Sequence, residues 1–462
     1  SSSQEEAGPR SCRSPIGAAA MLRTVSRRLV ASSGVVGASA SAPVAAGLRG
    51  HLPAARRCLS DAASSSDDGA KNRRLWRWGG SAGMMGAEAD AEVSKEPLLL
   101  DDVRGVTLAA CGSSHSGFVV DGRLYTYGAN KYNQLGRSEG DLKVPGIVPF
   151  EEGAPLVTQA ALGACHSAVI TEGGDLWTWG WGGSFWYGAG ALGHSGRDGA
   201  ATPTRVEKFV ALGEKVKQVA CGAQHTIVLT EEGHLYATGK GDFGRLGRGD
   251  TRDEVEFEEI DYFQQANDSI LAPGETTNIV KVGAGNNYCA AMSSSGELWV
   301  WGRNDHGQLG LGEEAMGDMY SAESYPRLVR SLPSEGLRIL DFTCGEHHLV
   351  VRTDSGALYE WGGRTWLEPH AVPIPEEHRE ALQTITKLEA GEKFSFALCA
   401  DGTLFSWGSK ASGCLAQGPD CPKIVVEPTP VPSSTFGHQK IVDIVASKSR
   451  CLAITVEDEF TA

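Results

Sequence analysis

Residues 216–239 read VKQVACGAQHTIVLTEEGHLYATG, and this stretch decides the fold. Its apolar residues alternate in three short runs, which a Gly-Ala-Gln-His turn and a Glu-Glu-Gly turn separate. Alternation at period two is typical of β-strands, and turns of this length join antiparallel neighbours. The stretch therefore predicts three short antiparallel strands.

Copies of this unit fill most of the chain. Two more complete copies occupy residues 106–128 and 280–302, and three others end in Leu-aromatic-x-Trp-Gly at Gly180, Gly362 and Gly408. A Pro-x-x-Val segment marks a fourth strand in most units, and proline belongs at an outer edge because it cannot donate to an interior ladder. These prolines are Pro145, Pro203, Pro326, Pro369 and Pro428, with Pro97 before Leu100 in the first unit.

The seventh unit is split between the two ends of the chain. Residues 441–460 supply a front half without a Trp-Gly strand, whereas residues 75–79 (LWRWG) supply that strand without a front half. Seven four-stranded units that close on themselves predict an all-β fold. We expect a seven-bladed β-propeller in which the N-terminal strand completes the C-terminal blade. In such a ring each blade buries its two apolar faces against its neighbours.

Three spaced motifs, C-G-x-x-H, D-G-x-L-Y-x-W-G and N-x-x-G-Q-L-G, resemble the regulator-of-chromosome-condensation repeat. Residues 304–310 (NDHGQLG) are a near-ideal copy of the third motif, and residues 130–136 and 241–247 are good ones. The resemblance covers about residues 75–456. It implies the propeller fold and a protein-interaction role. Relatives with organellar leaders are implicated in mitochondrial ribosome assembly and organellar RNA processing.

The resemblance implies three alternative functions. The first is a non-catalytic mitochondrial interaction module in a ribonucleoprotein context, with mitochondrial ribosomal proteins as partners. The second is guanine-nucleotide exchange on a small GTPase, the activity of the family's founding member. The third is a structural subunit of a large organellar assembly. Because the chain contains no P-loop, nucleophile elbow or dinucleotide fingerprint, we expect no other enzymatic activity and no cofactor.

The first sixty residues differ from the rest of the chain. Between Met21 and Ser60 there are six arginines and no Asp or Glu, which is typical of a mitochondrial transit peptide and predicts a matrix location. A plastid peptide is the alternative, and Ser, Gly and Pro argue against a membrane span over residues 29–48. The predicted divisions are 1–60, extension plus transit peptide; 61–74, acidic and polar linker; 75–456, propeller; and 457–462, C-terminal tail.

The ring without its leader is strongly acidic. When residues 1–60 are removed, 34 basic and 55 acidic side chains remain, a net charge of −21 that repels a phosphate backbone. We therefore expect protein partners and no direct DNA binding. The eleven cysteines include no C-x-x-C pair, so we interpret them as core thiols and expect no metal site.

Four histidines, His115, His166, His225 and His348, occupy the same turn position in different units. One such residue per blade is distributed around a ring, so the imidazoles do not converge on a metal. We interpret them as structural residues of the repeat turn. Each buried ring is expected to donate its N–H to a backbone carbonyl.

Two segments exceed what the repeat needs. The loop at residues 181–190 (WGGSFWYGAG) clusters aromatic side chains, which either anchor an interface or pack onto the adjacent blade. Residues 250–261 (DTRDEVEFEEID) carry seven acids and one arginine and lack the Pro-x-x-Val pattern. We interpret them as a loop, either solvated or docked on a basic partner. The predicted partner-binding residues are Trp181, Phe185, Trp186, Tyr187, Asp253, Glu254, Glu256, Glu258 and Glu259.

The eleven tryptophans invite a comparison with the plant ultraviolet-B photoreceptor, which is built on the same propeller. The chromophore cluster of that receptor depends on a repeated Gly-Trp-Arg-His-Thr motif. The corresponding stretch at residues 221–226 reads CGAQHT and contains no tryptophan. We therefore do not expect photoreception.

Overall fold

Strands account for nearly all of the regular structure, as the alternating pattern predicts. Within the described residues of the computed structural model, seven four-stranded antiparallel sheets form the blades and one two-stranded ribbon lies in a loop. The predicted leader, most of the linker and residues 458–462 of the tail lie outside this part. The described residues are 71–80, 94–150, 156–184, 188–265, 277–312, 321–334 and 336–457.

The blades follow the chain from inner to outer strand, and the N-terminal β1 (Arg73–Gly79) and β2 (Ser94–Arg104) belong to the last one. Blade I contains β3 (Val106–Cys111), β4 (His115–Val120), β5 (Arg123–Gly128) and β6 (Gly146–Ile147). Blade II contains β7 (Val157–Leu162), β8 (His166–Thr171), β9 (Leu176–Gly180) and β12 (Ala200–Arg205), with β10 (Gly183–Ser184) and β11 (Gly188–Ala189) forming the ribbon. Blade III contains β13 (Val216–Cys221), β14 (His225–Thr230), β15 (Leu235–Gly239) and β16 (Glu254–Glu259).

The remaining blades have the same order. Blade IV contains β17 (Ile279–Ala284), β18 (Tyr288–Ser293), β19 (Leu298–Arg303) and β20 (Ala322–Leu328). Blade V contains β21 (Ile339–Cys344), β22 (His348–Thr353), β23 (Leu358–Gly362) and β24 (Trp366–Ala371). Blade VI contains β25 (Ile385–Ala390), β26 (Phe394–Cys399), β27 (Leu404–Ser409) and β28 (Ile424–Pro430), and blade VII adds β29 (Lys440–Ser447) and β30 (Arg450–Val456). Short helices α1 (Glu207–Leu212), α2 (Ser331–Ser334) and α3 (Arg379–Leu382) lie between blades.

The two ends of the chain build blade VII together. β1 pairs antiparallel with β30 over its whole length, from Arg73 opposite Val456 to Gly79 opposite Arg450. β2 pairs with the other edge of β1 and forms the outer strand, with Pro97 inside it. The predicted closure is confirmed, and the N-terminal segment supplies two strands to it.

The prediction of a loop at residues 250–261 is wrong, because β16 forms the outer strand of blade III. The Ile260 N–H donates to the Leu235 carbonyl at 2.8 Å, just as the Val206 N–H donates to the Leu176 carbonyl at 2.9 Å in blade II. Phe257 therefore stands where other outer strands have proline, and its buried ring holds the strand against the neighbouring blade. Because this segment has no proline and many acidic residues, its sequence did not indicate a strand.

A single carbonyl group joins each of several blades to the next one. The Gln134 carbonyl in blade I accepts hydrogen bonds from the Trp179 indole N–H at 2.9 Å and from the Ser167 hydroxyl at 2.7 Å, both in blade II. This arrangement pairs three buried polar groups at once. The same indole-to-carbonyl bond joins Trp301 to Arg245 at 3.1 Å, Trp361 to Gln308 at 3.1 Å and Trp78 to Cys414 at 2.8 Å.

The glycine of the Gln-Leu-Gly motif is required by the same tryptophan. Gly310 has φ +65°, and a Cβ at this position would lie 2.5 Å from the indole nitrogen of Trp361. Gly136 stands in the same relation to Trp179, with 2.6 Å between the added Cβ and the indole nitrogen. One contact between blades therefore explains both the repeated glycine and the repeated tryptophan.

Farther from the axis, apolar side chains from the connections between blades fill the seams between neighbouring blades. Phe209 on α1 packs against Tyr236 of blade III, with ring centroids 5.3 Å apart. Phe436 packs against both Trp76 and Trp78 of blade VII, at 5.5 Å from each. Burying such rings contributes about 2–3 kcal/mol each, so these side chains are a main source of cohesion between blades.

Glutamine side chains join the inner edges of neighbouring blades near the axis. The Gln159 side-chain carbonyl accepts from the Val219 N–H at 2.8 Å. Gln218 accepts from the Val282 N–H at 3.1 Å and donates to the Val280 carbonyl at 3.3 Å. These bonds satisfy inner-strand groups that no further strand can pair.

Replacing Gly310 with alanine tests whether the seam contact determines this motif. The Cβ must displace the Trp361 indole and also occupy a left-handed backbone, so we expect a loss of about 2–4 kcal/mol in the free energy of unfolding. Gly213→Ala is the control, because Gly213 has φ +72° with no atom within 4 Å of the added Cβ, and should lose only about 1–2 kcal/mol. Denaturant titration of both variants measures the difference, and equal losses would contradict the steric account.

Candidate partner-binding surface

The structure brings together the two segments that were predicted to bind partners. The ribbon β10–β11 in blade II abuts the start of β16, since a Cβ on Gly188 would lie 2.3 Å from a carboxylate oxygen of Asp253. Farther along the same loop, His194 forms an isolated β-bridge with Glu256. The aromatic loop and the acidic strand therefore form one surface at the junction of blades II and III, which we call the ribbon surface. Phe185, Trp186 and Tyr187 lie outside the described residues.

Trp181 anchors the base of this loop. Its backbone N–H donates to the Cys165 carbonyl at 2.9 Å, and its half-buried ring meets Tyr132 of blade I edge to face, with centroids 6.5 Å apart. The Lys131 ammonium lies 5.5 Å from the centre of the Tyr132 ring. An aromatic pair beside a cation therefore extends the ribbon surface toward blade I.

The carboxylates of the acidic strand are half-buried, and those of Asp253, Glu254 and Glu258 have partners within the chain. Glu254 forms an ion pair with Arg248, and Glu258 with Lys208 on α1 at 3.1 Å. A carboxylate oxygen of Asp253 accepts from the Gly241 N–H at 2.9 Å. Glu256 and Glu259 are also half-buried in β16. The side chains of both ion pairs are still reached by solvent, which weakens the attraction within each pair.

The Nε2 of each turn histidine contacts a side chain of the next blade, so the predicted backbone carbonyl partner is wrong at His115 and His166, whereas His225 and His348 also have backbone hydrogen bonds in the next blade. The His115 Nε2 lies 2.8 Å from the Ser167 hydroxyl, and because that hydroxyl donates to Gln134, the imidazole must be the donor. The partners of the other three are Thr226 for His166 at 3.0 Å, Cys289 for His225 at 3.1 Å and Ser395 for His348 at 3.0 Å. The rings are therefore part of the seams.

Burial keeps these four imidazoles neutral. It lowers the pKa of His115 to about 3 and that of His166 and His348 to about 4, and it holds the pKa of His225 well below its usual range. Repulsion from the buried guanidinium of Arg245 adds to the effect at His225. Within the described residues, no group of three or more His, Cys, Asp or Glu side chains is placed to hold a metal.

A second polar cluster, which the motifs did not reveal, lies where the loops of blades III, IV and V meet. Asp305, with its side chain 2% exposed, accepts from Arg303 at 2.7 Å and pairs with the His306 Nδ1 at 2.9 Å. The His306 ring stacks on that of His347 with centroids 4.4 Å apart. The Arg303 guanidinium covers Phe243 at 4.5 Å. The charged and aromatic residues of this cluster lie outside the fixed positions of the repeat motif, so no spacing in the sequence predicted that they meet. The fixed positions here are Asn304, Gly307, Gln308, Leu309 and Gly310.

Electrostatics maintain the charges of this cluster. Burial disfavours the ionised form of Asp305, but hydrogen bonds from His306 and Arg303 outweigh it and lower the pKa of the carboxyl. Burial together with the nearby His306 lowers the pKa of His347 to about 4. The cluster therefore presents an anion held by the Arg303 guanidinium and the His306 ring, with the neutral His347 imidazole at its edge.

The family model described as the RCC1-like domain matches residues 74–453, most of the chain. The chain belongs to the RCC1-like family. The structure agrees, since crystal structures of Prp20p from Saccharomyces cerevisiae and of human WBSCR16 superpose with TM-scores of 0.69 and 0.66. Prp20p is 21% identical to this chain, and the match covers 84% of this chain and 93% of Prp20p. WBSCR16 is 22% identical, and the match covers 83% of this chain and 99% of WBSCR16. At these identities the likeness shows the fold.

Relatives of this RCC1-like protein have diverse names. It is 31% identical over 364 residues to the mitochondrial RCC1 domain-containing protein RUG3 of Arabidopsis thaliana, with 75% of each chain covered. It is 29% identical over 377 residues to the ultraviolet-B receptor UVR8 of the same plant, with 78% of each covered. The regulator of chromosome condensation of Xenopus laevis is 27% identical over 361 residues, which cover 73% of this chain and 80% of the relative.

Within the part of this RCC1-like protein that the structure describes, no helix is long and apolar enough to cross a bilayer.

Seam packing accounts for tryptophans such as Trp179 and Trp301, which are fully buried and bonded to carbonyls of the preceding blade.

The buried histidines predict acid destabilisation. Between pH 6.5 and about 4 the unfolded chain binds protons that the folded chain does not, so stability is complete above pH 6.5 and is lost as the pH falls toward 4. His166 alone contributes roughly 3 kcal/mol to this loss. Denaturant titrations from pH 7.5 to 4.5 measure it.

His166→Gln should make the profile between pH 6.5 and 5 shallower, because one of the four buried imidazoles is gone. His438→Asn changes an exposed ring and serves as the control, with the slope retained. A wild-type stability that is constant between pH 7 and 5 would contradict the assignment of neutral buried imidazoles.

Proposed function

We propose that this RCC1-like protein is a non-catalytic interaction module of the mitochondrial matrix that acts in ribosome assembly or organellar RNA processing. The observation that carries the proposal is the 31% identity to the mitochondrial protein RUG3 over three quarters of both chains. The arginine-rich, acid-free composition of residues 21–60 supports the same compartment independently. Recovery of the protein in plastids, or outside mitochondria, would contradict it.

The ribbon surface suits a basic protein partner. It carries Glu254, Glu256, Glu258 and Glu259 on one outer strand and Asp253 just before it, in a chain whose net charge without the leader is −21. Such a field attracts the lysine- and arginine-rich surfaces of ribosomal proteins and repels bare RNA. Binding to RNA-containing complexes would then pass through proteins.

Aromatic anchors complete this surface. Trp181 and Tyr132 meet at the junction of blades I and II, next to the ribbon. Half-buried aromatic rings that are held rigidly lose little entropy on binding and are frequent hot spots of interfaces. Charge would guide the encounter, and the aromatic pair would hold the complex.

Affinity recovery from mitochondria, with and without ribonuclease, tests the ribonucleoprotein context. We expect ribosomal or RNA-processing proteins to co-purify and to be lost after nuclease treatment. A stoichiometric complex that resists nuclease would instead favour a structural subunit of a large assembly.

Substitutions locate the interface. Trp181→Ala combined with Glu256→Lys should reduce the recovery of these partners by about tenfold, since hot-spot losses exceed 1 kcal/mol. Glu427→Lys is the matched control, because Glu427 is an exposed acid on β28, the outer strand of blade VI. Equal recovery with both variants would exclude the ribbon surface.

The second candidate is guanine-nucleotide exchange on a small GTPase. Its support is the 27% identity to the regulator of chromosome condensation and the propeller shared with Prp20p, whose structure is described with its binding to Gsp1p and histones. Release of labelled GDP from mitochondrial small GTPases measures it. No acceleration at micromolar protein excludes exchange, whereas acceleration would overturn the non-catalytic assignment.

A further inference from the structure

The inner strands of all seven blades end around one cup on the axis of the ring. This axial cup has a volume of about 280 Å³ and is lined by the last residues of β3, β7, β13, β17, β21, β25 and β29 and by most of the turns that follow them. Backbone hydrogen bonds join neighbouring turns around it. The Asn286 N–H donates to the Glu346 carbonyl at 3.2 Å, and the Glu346 N–H donates to the Gly391 carbonyl at 2.9 Å. Because these N–H groups are already bonded, side chains decide which charge the cup accepts.

The residue after the turn glycine differs among the blades. Blades I to IV have uncharged residues there, and blades V to VII have charged ones; in order they are Ser113, Ala164, Ala223, Asn286, Glu346, Glu392 and Lys448. The repeat itself therefore does not require a charge at this position. Glu346 and Lys448 are among the residues that line the axial cup, and Glu392 is not.

The Glu346 carboxylate is half-buried, and among the described residues it has neither a hydrogen-bond donor nor an ion-pair partner. Burial raises the pKa of Glu346, and the positive charges of Lys448 and Lys393 offset this only in part, while Glu392 adds to it. Removing a carboxylate from water without giving it a donor is unfavourable. A donor from another molecule can therefore supply an interaction that the chain lacks.

The other charges around the cup leave it with an excess of one negative charge. Glu389 also lines the cup and lies 3.4 Å from the Lys387 ammonium, which is 2.6 Å from Asp443, so these three groups together keep one negative charge. Lys448 opposes the charge of Glu346 and would compete with a bound cation. The thiols in the wall are neutral, because burial raises their pKa; they belong to Cys111, Cys221 and Cys344.

We propose that the axial cup binds an ammonium or guanidinium group through the Glu346 carboxylate. The side-chain oxygens of Asn286 and Ser113, which also line the cup, are further acceptors for its N–H groups. A volume of about 280 Å³ also admits the aliphatic stem that carries such a group. Two sources have this chemistry, a free amine and a lysine or arginine side chain of a partner protein. The inference rests on the cup and does not depend on the proposed function.

Titration with butylguanidinium, followed by ligand-observed NMR on the full chain, tests the site. We expect saturable binding, whereas butylurea, an uncharged molecule of the same shape, should not bind. Glu346→Gln should weaken the binding of butylguanidinium at least fivefold. Glu392→Gln is the matched control, because it removes a carboxylate at the same repeat position outside the lining of the cup, and it should change the affinity less than twofold. Equal weakening by both variants, or equal binding of both compounds, would overturn the proposal.

A second variant makes the opposite prediction. Lys448→Met removes the competing cation, so it should tighten the binding of butylguanidinium at least twofold. A misfolded variant would not bind more tightly, so this result does not depend on the tolerance of the fold for Glu346→Gln. Unchanged or weaker binding would mean that the cation does not lie beside Lys448 and would overturn the assignment to the cup.

The blocked tripeptide acetyl-Gly-Arg-Gly-amide distinguishes the two sources. If the cup takes a side chain of a partner protein, the tripeptide should bind at least as tightly as butylguanidinium. If it takes free amines, the tripeptide should be excluded while butylguanidinium still binds. Tripeptide binding that Glu346→Gln leaves unchanged would overturn the role of this carboxylate.

Discussion

Several seams of the ring depend on one kind of acceptor, the carbonyl that precedes a Leu-Gly or Leu-Ala pair. The indole of the next blade donates to it, and at Gln134 the Ser167 hydroxyl donates as well as the Trp179 indole. The turn histidine adds a third group to the network by donating to that hydroxyl. The residue before Leu-Gly, the strand tryptophan and the turn histidine stand far apart in the sequence but belong to one interaction, which explains why they recur in phase. Loops outside this network are free to vary, and the unusual surface features are found there.

The prediction of blades from the sequence succeeded because strand alternation and turns are local properties. The errors arose where a contact between distant residues decided the outcome. β16 was not recognised because Phe257 replaces the edge proline, and its role becomes visible only beside Phe209 on α1, in the connection from blade II. The histidine partners were missed for the same reason, since His115 and Ser167 are 52 residues apart. The cluster around Asp305 draws on three loops and has no spacing that a motif could capture.

The ribbon surface and the Asp305 cluster differ in how firmly they are held. In the ribbon surface, ion pairs such as that of Lys208 with Glu258 lie at the solvent boundary and exchange partners easily. Asp305 is buried, and removing it would leave the Arg303 guanidinium without its closest anion. The first arrangement suits a surface that binds and releases proteins. The second suits a rigid platform that holds the loops of three blades in place.

The split blade imposes an order of events on folding. β1 lies near the start of the propeller and β30 near its end, yet the two pair over seven residues. Contacts between residues so far apart in sequence form slowly, because the chain between them loses conformational entropy before the contacts contribute favourable free energy. Until the last strand has been synthesised, β1 and β2 have an unpaired edge that can join strands of another molecule. The ring therefore cannot close before residues 450–456 are available to pair with β1.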